Sequence, residues 1–266
     1  MLDVEFSQLS DPGRIRPRNE DYLGSVVPPS PERARSHGWL FALADGVGGQ
    51  RQGEVASRAA VTEIVAGFSR AAPMDPHRDL IPRLVRSANE RVCEAEALAG
   101  PAGAGMASTI VVCGLRFDRA TIAHAGDSRC YLIRSGHVRQ VTQDHTVAGE
   151  QVRLGILSTK EAGNVPTRHV LSRSLGSGLF VNVDLNEVAL APGDMLLLCS
   201  DGLHGAVTSA EMVKLLAKSP NLDVVARDLV DLANEQDGGD NVSVQLIRVR
   251  NIERMGMYRG RSYKVR

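Results

Sequence analysis
The sequence predicts an α+β domain built in layers. Short strands open the chain and others close it, two pairs of helices stand among them, and the strand–helix–strand alternation of a parallel sheet is missing. With 266 residues the chain fits one large core or two small ones, and we take one. Apolar residues at 43% and charged residues at 23% exclude a disordered or fibrous chain.

The elements follow in order. Strand-like runs begin at Val4 (VEFSQLS), Asp21 (DYLGSVV) and Trp39 (WLFALAD). A helix is expected over 53–70, where Val55, Ala59, Thr62 and Ala66, with Ile64 and Val65, fall near a 3.6 period. A second is expected over 79–98, with Leu80, Leu84, Val85, Ala88 and Val92 on one face. GPAGAGM then breaks the helix. From Ser108 the period becomes two and β-branched residues dominate: STIVVCGLRF, ATIAHAG, SRCYLIRSG and HVRQVT read as an antiparallel meander. The polar, turn-rich segment 143–178 suits a flap over a site. Strands VNVDLNEVAL and MLLLCSDG, helices over 209–217 and 222–235, and a last strand NVSVQLIRV complete the domain, placed at 1–249. The tail, 250–266, holds six basic residues against one acidic and is expected to be a disordered extension, with docking to a partner as the alternative.

Lys plus Arg equals Asp plus Glu at 31 each, so no overall field draws the chain to nucleic acid or to an anionic membrane. Cys93, Cys113, Cys130 and Cys199 form no CxxC pair and lie in apolar runs, as buried thiols in a reducing compartment do. The N-terminus has no apolar signal region and no stretch is long enough to span a bilayer, so a cytoplasmic protein is expected.

Carboxylates recur where an apolar strand meets a turn: Asn19-Glu20-Asp21, Asp45-Gly46, Gly126-Asp127, Asp201-Gly202 and Asp240-Asn241. Any one of them reads equally as an Asx turn. Several strand ends side by side, however, would make a pocket of oxygens suited to Mg²⁺ or Mn²⁺. The ordered set of Arg16-Pro-Arg-Asn19-Glu20-Asp21, Asp45-Gly46-Val47-Gly48-Gly49, Gly105-Met106-Ala107-Ser108-Thr109, Gly126-Asp127-Ser128-Arg129, Asp144-His145-Thr146, Ser200-Asp201-Gly202 and Asp240-Asn241 resembles the type 2C, metal-dependent protein phosphatases, in their bacterial Ser/Thr subgroup.

That resemblance implies a four-layer α/β/β/α sandwich with two central, mostly antiparallel sheets flanked by helix pairs. It implies Mn²⁺ or Mg²⁺ as cofactor, two ions and a third, weaker one. Asp45 would bridge two ions, with the carbonyl of Gly46 completing one shell; Asp201 and Asp240 would hold the first ion. Glu20 would serve the second, with Asp21 in or just behind its shell, and Asp127 with Asp201 would hold the third. Arg16 would fork to the substrate phosphate. A metal-bridging water would then hydrolyse phosphoserine or phosphothreonine without a covalent intermediate. The implied partners are phosphorylated proteins and an opposing Ser/Thr kinase, with a monomeric chain. A non-catalytic sensor or scaffold that keeps the fold is the alternative, and a regulatory phosphatase dedicated to one partner is a third reading.

Two departures from the pattern stand out. Val47 occupies the place of a His that eukaryotic members are proposed to use as general acid, which leaves the acid unassigned. In the flap, Asn164-Val165-Pro166-Thr167-Arg168 replaces a usual His-Pro. Among other signals, Cys113 to Arg119 has the C-x5-R spacing of cysteine phosphatases but sits in a strand, away from any helix N-terminus. His124 reads as structural and His145 as an organiser of the flap; His37, His77, His137, His169 and His204 show no zinc-ligand spacing.

Overall fold
The computed structural model describes residues 2–47, 52–258 and 261–265. The first half runs β1 (Leu2–Asp11), β2 (Asp21–Val26), α1 (Pro31–Ser36), β3 (Trp39–Asp45), α2 (Gly53–Arg70) and α3 (His77–Ala99). Then come β4 (Ile110–Arg116), β5 (Arg119–Ala125), β6 (Arg129–Arg134), β7 (His137–Gln140), α4 (Val147–Arg153), α5 (Thr159–Ala162), β8 (Asp184–Ala189) and β9 (Met195–Cys199). The chain closes with α6 (Asp201–His204), α7 (Ser209–Lys218), α8 (Leu222–Gln236), β10 (Val242–Ile252), β11 (Arg254–Tyr258) and β12 (Arg261–Val265).

Two five-stranded antiparallel sheets form the centre, one in the order β1-β10-β9-β6-β7 and the other β2-β3-β4-β5-β8. β3 shows why its sequence is apolar throughout. Its alternate residues Phe41 and Leu43 join Val111, Cys113, Leu132, Leu196 and Ile247 between the sheets, while Leu40, Ala42 and Ala44 pack outward on α2 and α3. On the opposite face, Leu197, Val244 and Leu246 pack on Met212, Leu216, Leu229 and Val230 of α7 and α8. Helix pair, sheet, sheet, helix pair is the expected four-layer order.

Four expectations need correction. The strands after Ser108 are not one meander: β4 and β5 pair in one sheet, and the chain then crosses so that β6 and β7 pair in the other. The buried face of α2 is Ala56, Ala60, Val61, Ile64 and Phe68, and Val55 is 37% exposed. Cys93 lies half-buried on α3; the other three thiols are buried in strands. Finally, β10 continues as far as Ile252, opposite Leu2, and β11 and β12 pair as a hairpin where a disordered tail was expected. Among the described residues no helix is long and apolar enough to cross a membrane.

Candidate active site: a carboxylate cavity at the sheet ends
The two sheets place their acidic turns at one end of the sandwich. Asp21 begins β2 and lies directly opposite Asp45, the last residue of β3. Asp127 occupies the crossover from β5 to β6, Asp201 opens α6 after β9, and Asp240 precedes β10. A cavity of about 180 Å³ is lined by Arg16, Asp45, Gly46, Val47, Thr109, Asp127, Asp201 and Asp240, and by His169 and Leu171 of the flap.

Backbone pairing and small hydroxyls fix these carboxylates. The Asp45 amide donates to Thr109 Oγ1 at 3.0 Å, Thr109 returns its own amide to the Asp45 carbonyl at 2.8 Å, and its hydroxyl bonds to Ser128 at 2.7 Å. Ser200 Oγ donates to Asp21 Oδ2 at 2.8 Å. Asn241 pins the β1–β2 connection at three points: its side-chain amide donates to the carbonyls of Pro12 and Arg18, each at 2.9 Å, and its Oδ1 accepts from the Glu20 amide at 2.8 Å. Gly46 is required by close approach, since a Cβ there would overlap the Gly53 carbonyl. Arg16 Nη2 donates to Asp240 Oδ2 at 2.7 Å.

Burial and like charge act together on the cluster. Burial first, then neighbouring carboxylates, raise Asp45 well above the usual carboxylate range and push Asp21 and Asp127 up to about 7; Asp201 is raised by the same causes. Glu20 is raised by burial and by nearby Glu54. One oxygen of Asp21, Oδ1, is buried with no hydrogen-bond partner.

Residues 19–237 match the family profile described as protein phosphatase 2C, 219 of the 266 residues by position. The chain belongs to the protein phosphatase 2C family. A serine/threonine phosphatase, stp, of Listeria innocua is 33% identical over 261 residues, covering 96% of this chain and 98% of the relative. The crystal structure of the PPM Ser-Thr phosphatase MsPP from Mycobacterium smegmatis, in complex with cacodylate, superposes with a TM-score of 0.78 at 35% identity, covering 92% of this chain and 98% of that one. The catalytic domain of the phosphatase PstP in complex with two manganese ions superposes with a TM-score of 0.80 at 30% identity, covering 94% and 100%.

The residues of this phosphatase fit the Mn²⁺ or Mg²⁺ of its family. Hard cations take carboxylate oxygens, and a buried cluster whose members raise one another's proton affinity lacks positive charge. The orphaned Asp21 Oδ1 is an acceptor without a donor, as a cation ligand would be. Of the seven residues predicted to hold metal, Asp45, Gly46, Asp127, Asp201 and Asp240 line the cavity. Glu20 and Asp21 lie beside it: the Glu20 carboxyl packs on Gly53, and the buried Asp21 carboxyl points between the sheets, where its Oδ2 accepts from Ser200. Gly48 and Gly49 of the DGVGG motif lie outside the described residues.

The flap rests on a base the sequence only half disclosed. Arg129 grips Asp144 through both oxygens, Nη2 to Oδ2 at 2.6 Å and Nε to Oδ1 at 2.9 Å. His145 donates its amide to the Gly126 carbonyl and accepts from the Ser172 amide, which ties segment 143–178 to the β5–β6 crossover. Its ring stacks on His124 at 4.6 Å and meets Asp184 Oδ2 at 3.2 Å. His124, His145 and Asp184 converge as metal ligands sometimes do, a grouping invisible in a sequence that spreads them over 61 positions. Here Arg173 already supplies the cation, with Nη1 2.7 Å from Asp184 Oδ1 and 3.3 Å from His145 Nε2. His145 Nδ1 also accepts from the Gly126 amide at 3.2 Å, which places its proton on the nitrogen a metal would need. The C-x5-R spacing carries no chemistry: Cys113 is fully buried in β4 and burial drives its thiol far above neutrality.

Proposed function
We propose that the cavity between Asp45 and Asp240 is where phosphate is removed from phosphoserine and phosphothreonine of proteins. The chain is a metal-dependent serine/threonine protein phosphatase that uses Mn²⁺ or Mg²⁺. The observation that carries the placement is the convergence of four aspartates from four separate chain segments on one small cavity beside an arginine.

In this reading Asp45, the Gly46 carbonyl, Asp127, Asp201 and Asp240 hold the cations, with Glu20 and Asp21 behind them. When bound, the ions acidify water and neutralise charge on the phosphoryl oxygens. The protein's own groups do the rest. Thr109 and Ser128 hold Asp45 rigid, Ser200 orients Asp21, and Asp240 keeps the Arg16 guanidinium at the cavity wall. The planar fork of Arg16 has further N–H donors for two phosphate oxygens. An opposing Ser/Thr kinase and a monomeric, cytoplasmic enzyme complete the proposal; the three buried, unpaired strand cysteines suit a reducing compartment. A scaffold without turnover is disfavoured, because Arg16, Asp45, Asp201 and Asp240 all remain and meet.

The test is hydrolysis of para-nitrophenyl phosphate and of a phosphothreonine peptide with Mn²⁺, Mg²⁺ or EDTA, for the unaltered protein and for Asp201→Asn. Turnover should require the metal. Since outer partners of metal ligands already cost 10–100-fold, Asp201→Asn should lower it by about 100-fold or more. A folded protein inactive with every metal would support the scaffold instead.

A further inference from the structure
A phosphoserine or phosphothreonine ester leaves as an alkoxide, a base too strong to depart readily without a proton. The cavity must therefore offer a donor, and most of its lining cannot serve. Val47 and Leu171 are apolar, and Arg16 does not give up its proton at neutral pH. The Thr109 hydroxyl is engaged with Ser128 and the Asp45 amide. The carboxylates are assigned to cations.

His169 remains. It ends a 3-10 turn, Pro166–His169, and of the seven histidines it is the one that lines the cavity. The turn is held at the site from both sides: Val170 donates its amide to the Thr167 carbonyl at 3.1 Å, its carbonyl accepts from the Val147 amide at 2.8 Å, and Leu171 bridges to Thr146. The other histidines are engaged elsewhere. His204 gives Nε2 to the Asp127 carbonyl at 3.0 Å, His124 gives Nε2 to the Gln143 carbonyl at 2.8 Å, and His145 belongs to the Asp184 and Arg173 cluster. The His169 Nε2 accepts from Arg168 Nε at 2.7 Å, so in this arrangement the ring proton sits on Nδ1.

We infer that His169 is the general acid of the reaction, a catalytic residue carried into the cavity by the flap. The imidazole takes a proton from solvent and Arg168 releases Nε2. As the bond from phosphorus to the Ser or Thr oxygen breaks, its electron pair stays on that oxygen, which receives the proton from the imidazolium and leaves as the alcohol. Water adds to phosphorus and loses a proton to solvent, which restores the balance.

The inference rests on the cavity being the phosphatase site, and the experiment separates the two. His169→Gln and His169→Asn are compared with the unaltered protein on a phosphothreonine peptide and on para-nitrophenyl phosphate, with saturating Mn²⁺. Nitrophenolate is a weak base that leaves without help. Loss of a general acid should lower kcat on the peptide by roughly 100-fold, and by a far smaller factor on the aryl ester. His169 is exposed at the surface of the flap, so both variants should fold. Equal losses on the two substrates, or no loss on the peptide, would overturn the role of His169 while the site stands. Absence of metal-dependent turnover of either substrate by the unaltered protein would overturn the reading of the cavity itself.

Discussion
At His77 a single ring joins the first turn of α3 to the sheet. It is 6% exposed, its Nε2 lies 2.7 Å from the His37 carbonyl, and its edge meets Phe68 at a centroid distance of 5.5 Å. Burial above all, with the charge of Arg116, holds its proton affinity below the ordinary histidine value of 6.5; the hydrogen bond to the His37 carbonyl opposes, and Gly114 and Asp75 do so more weakly. Below 6.5 the unfolded chain therefore binds a proton that the folded chain refuses, and stability falls as pH drops from 6.5 toward the folded value, by about 1.4 kcal/mol per pH unit for one proton. His77→Gln keeps a donor for the His37 carbonyl and removes the titration. Urea midpoints at pH 7.5 and 5.5 should differ less for the variant than for the unaltered protein; identical differences would show that His77 is not the group responsible. At this scale the sequence disclosed residues whose local chemistry is unusual. Aspartate between an apolar run and Gly or Asn is such a case at Asp45, Asp201 and Asp240. His77 and His169 sit in ordinary contexts, and only the folded chain sets one against Phe68 and the other beside four aspartates.

Helix α7 shows what an element owes to its ends. Thr208 accepts the Glu211 amide at 3.4 Å, while Glu211 Oε2 takes the Thr208 amide at 2.8 Å and its hydroxyl at 2.6 Å, a complete capping box. The helix is short, and Met212 and Leu216 hold it to the sheet. Thr208→Ala should cost about 1 kcal/mol, read as a lowered urea midpoint with kcat unchanged, since the cap lies outside the cavity lining. Element positions were largely readable because apolar period and turn residues are local. The facing of α2 was not. Its buried stripe mixes small Ala56 and Ala60 with Val61, Ile64 and Phe68, and next to it Val55, Ala59 and Val65 are as apolar, so period alone selects the wrong seam. The crossover after β5 was hidden for a related reason. β6 alternates as its predecessors do, and nothing local tells a strand which of two sheets it will join.

The whole molecule is two sheets whose strands meet across long sequence distances, β1 with β10 and β6 with β9. The apolar seam between them is continuous, but at the site end it gives way to carboxylates. Asp45 comes from the β2–β8 sheet, Asp201 and Asp240 from the ends of β9 and β10 in the other, and Asp127 from the crossover that joins them. Burial of these charges, and then their mutual repulsion, oppose closure of that end, and together they raise the proton affinities of Asp21, Asp45 and Asp127. Cations held there would tie the sheets together and bind the folded state alone. At a hundred times its dissociation constant one such ion contributes about 2.7 kcal/mol, and a chain this long gains roughly 2–4 °C per kcal/mol. Mn²⁺ should thus raise the melting temperature by about 5–10 °C over EDTA. In Asp201→Asn the metal-free protein should melt no lower than the unaltered one, because one repelling charge is gone, and most of the rise with Mn²⁺ should vanish. A melting temperature that ignores Mn²⁺ in the unaltered protein would mean that the carboxylates do not hold the ion, whatever their arrangement suggests.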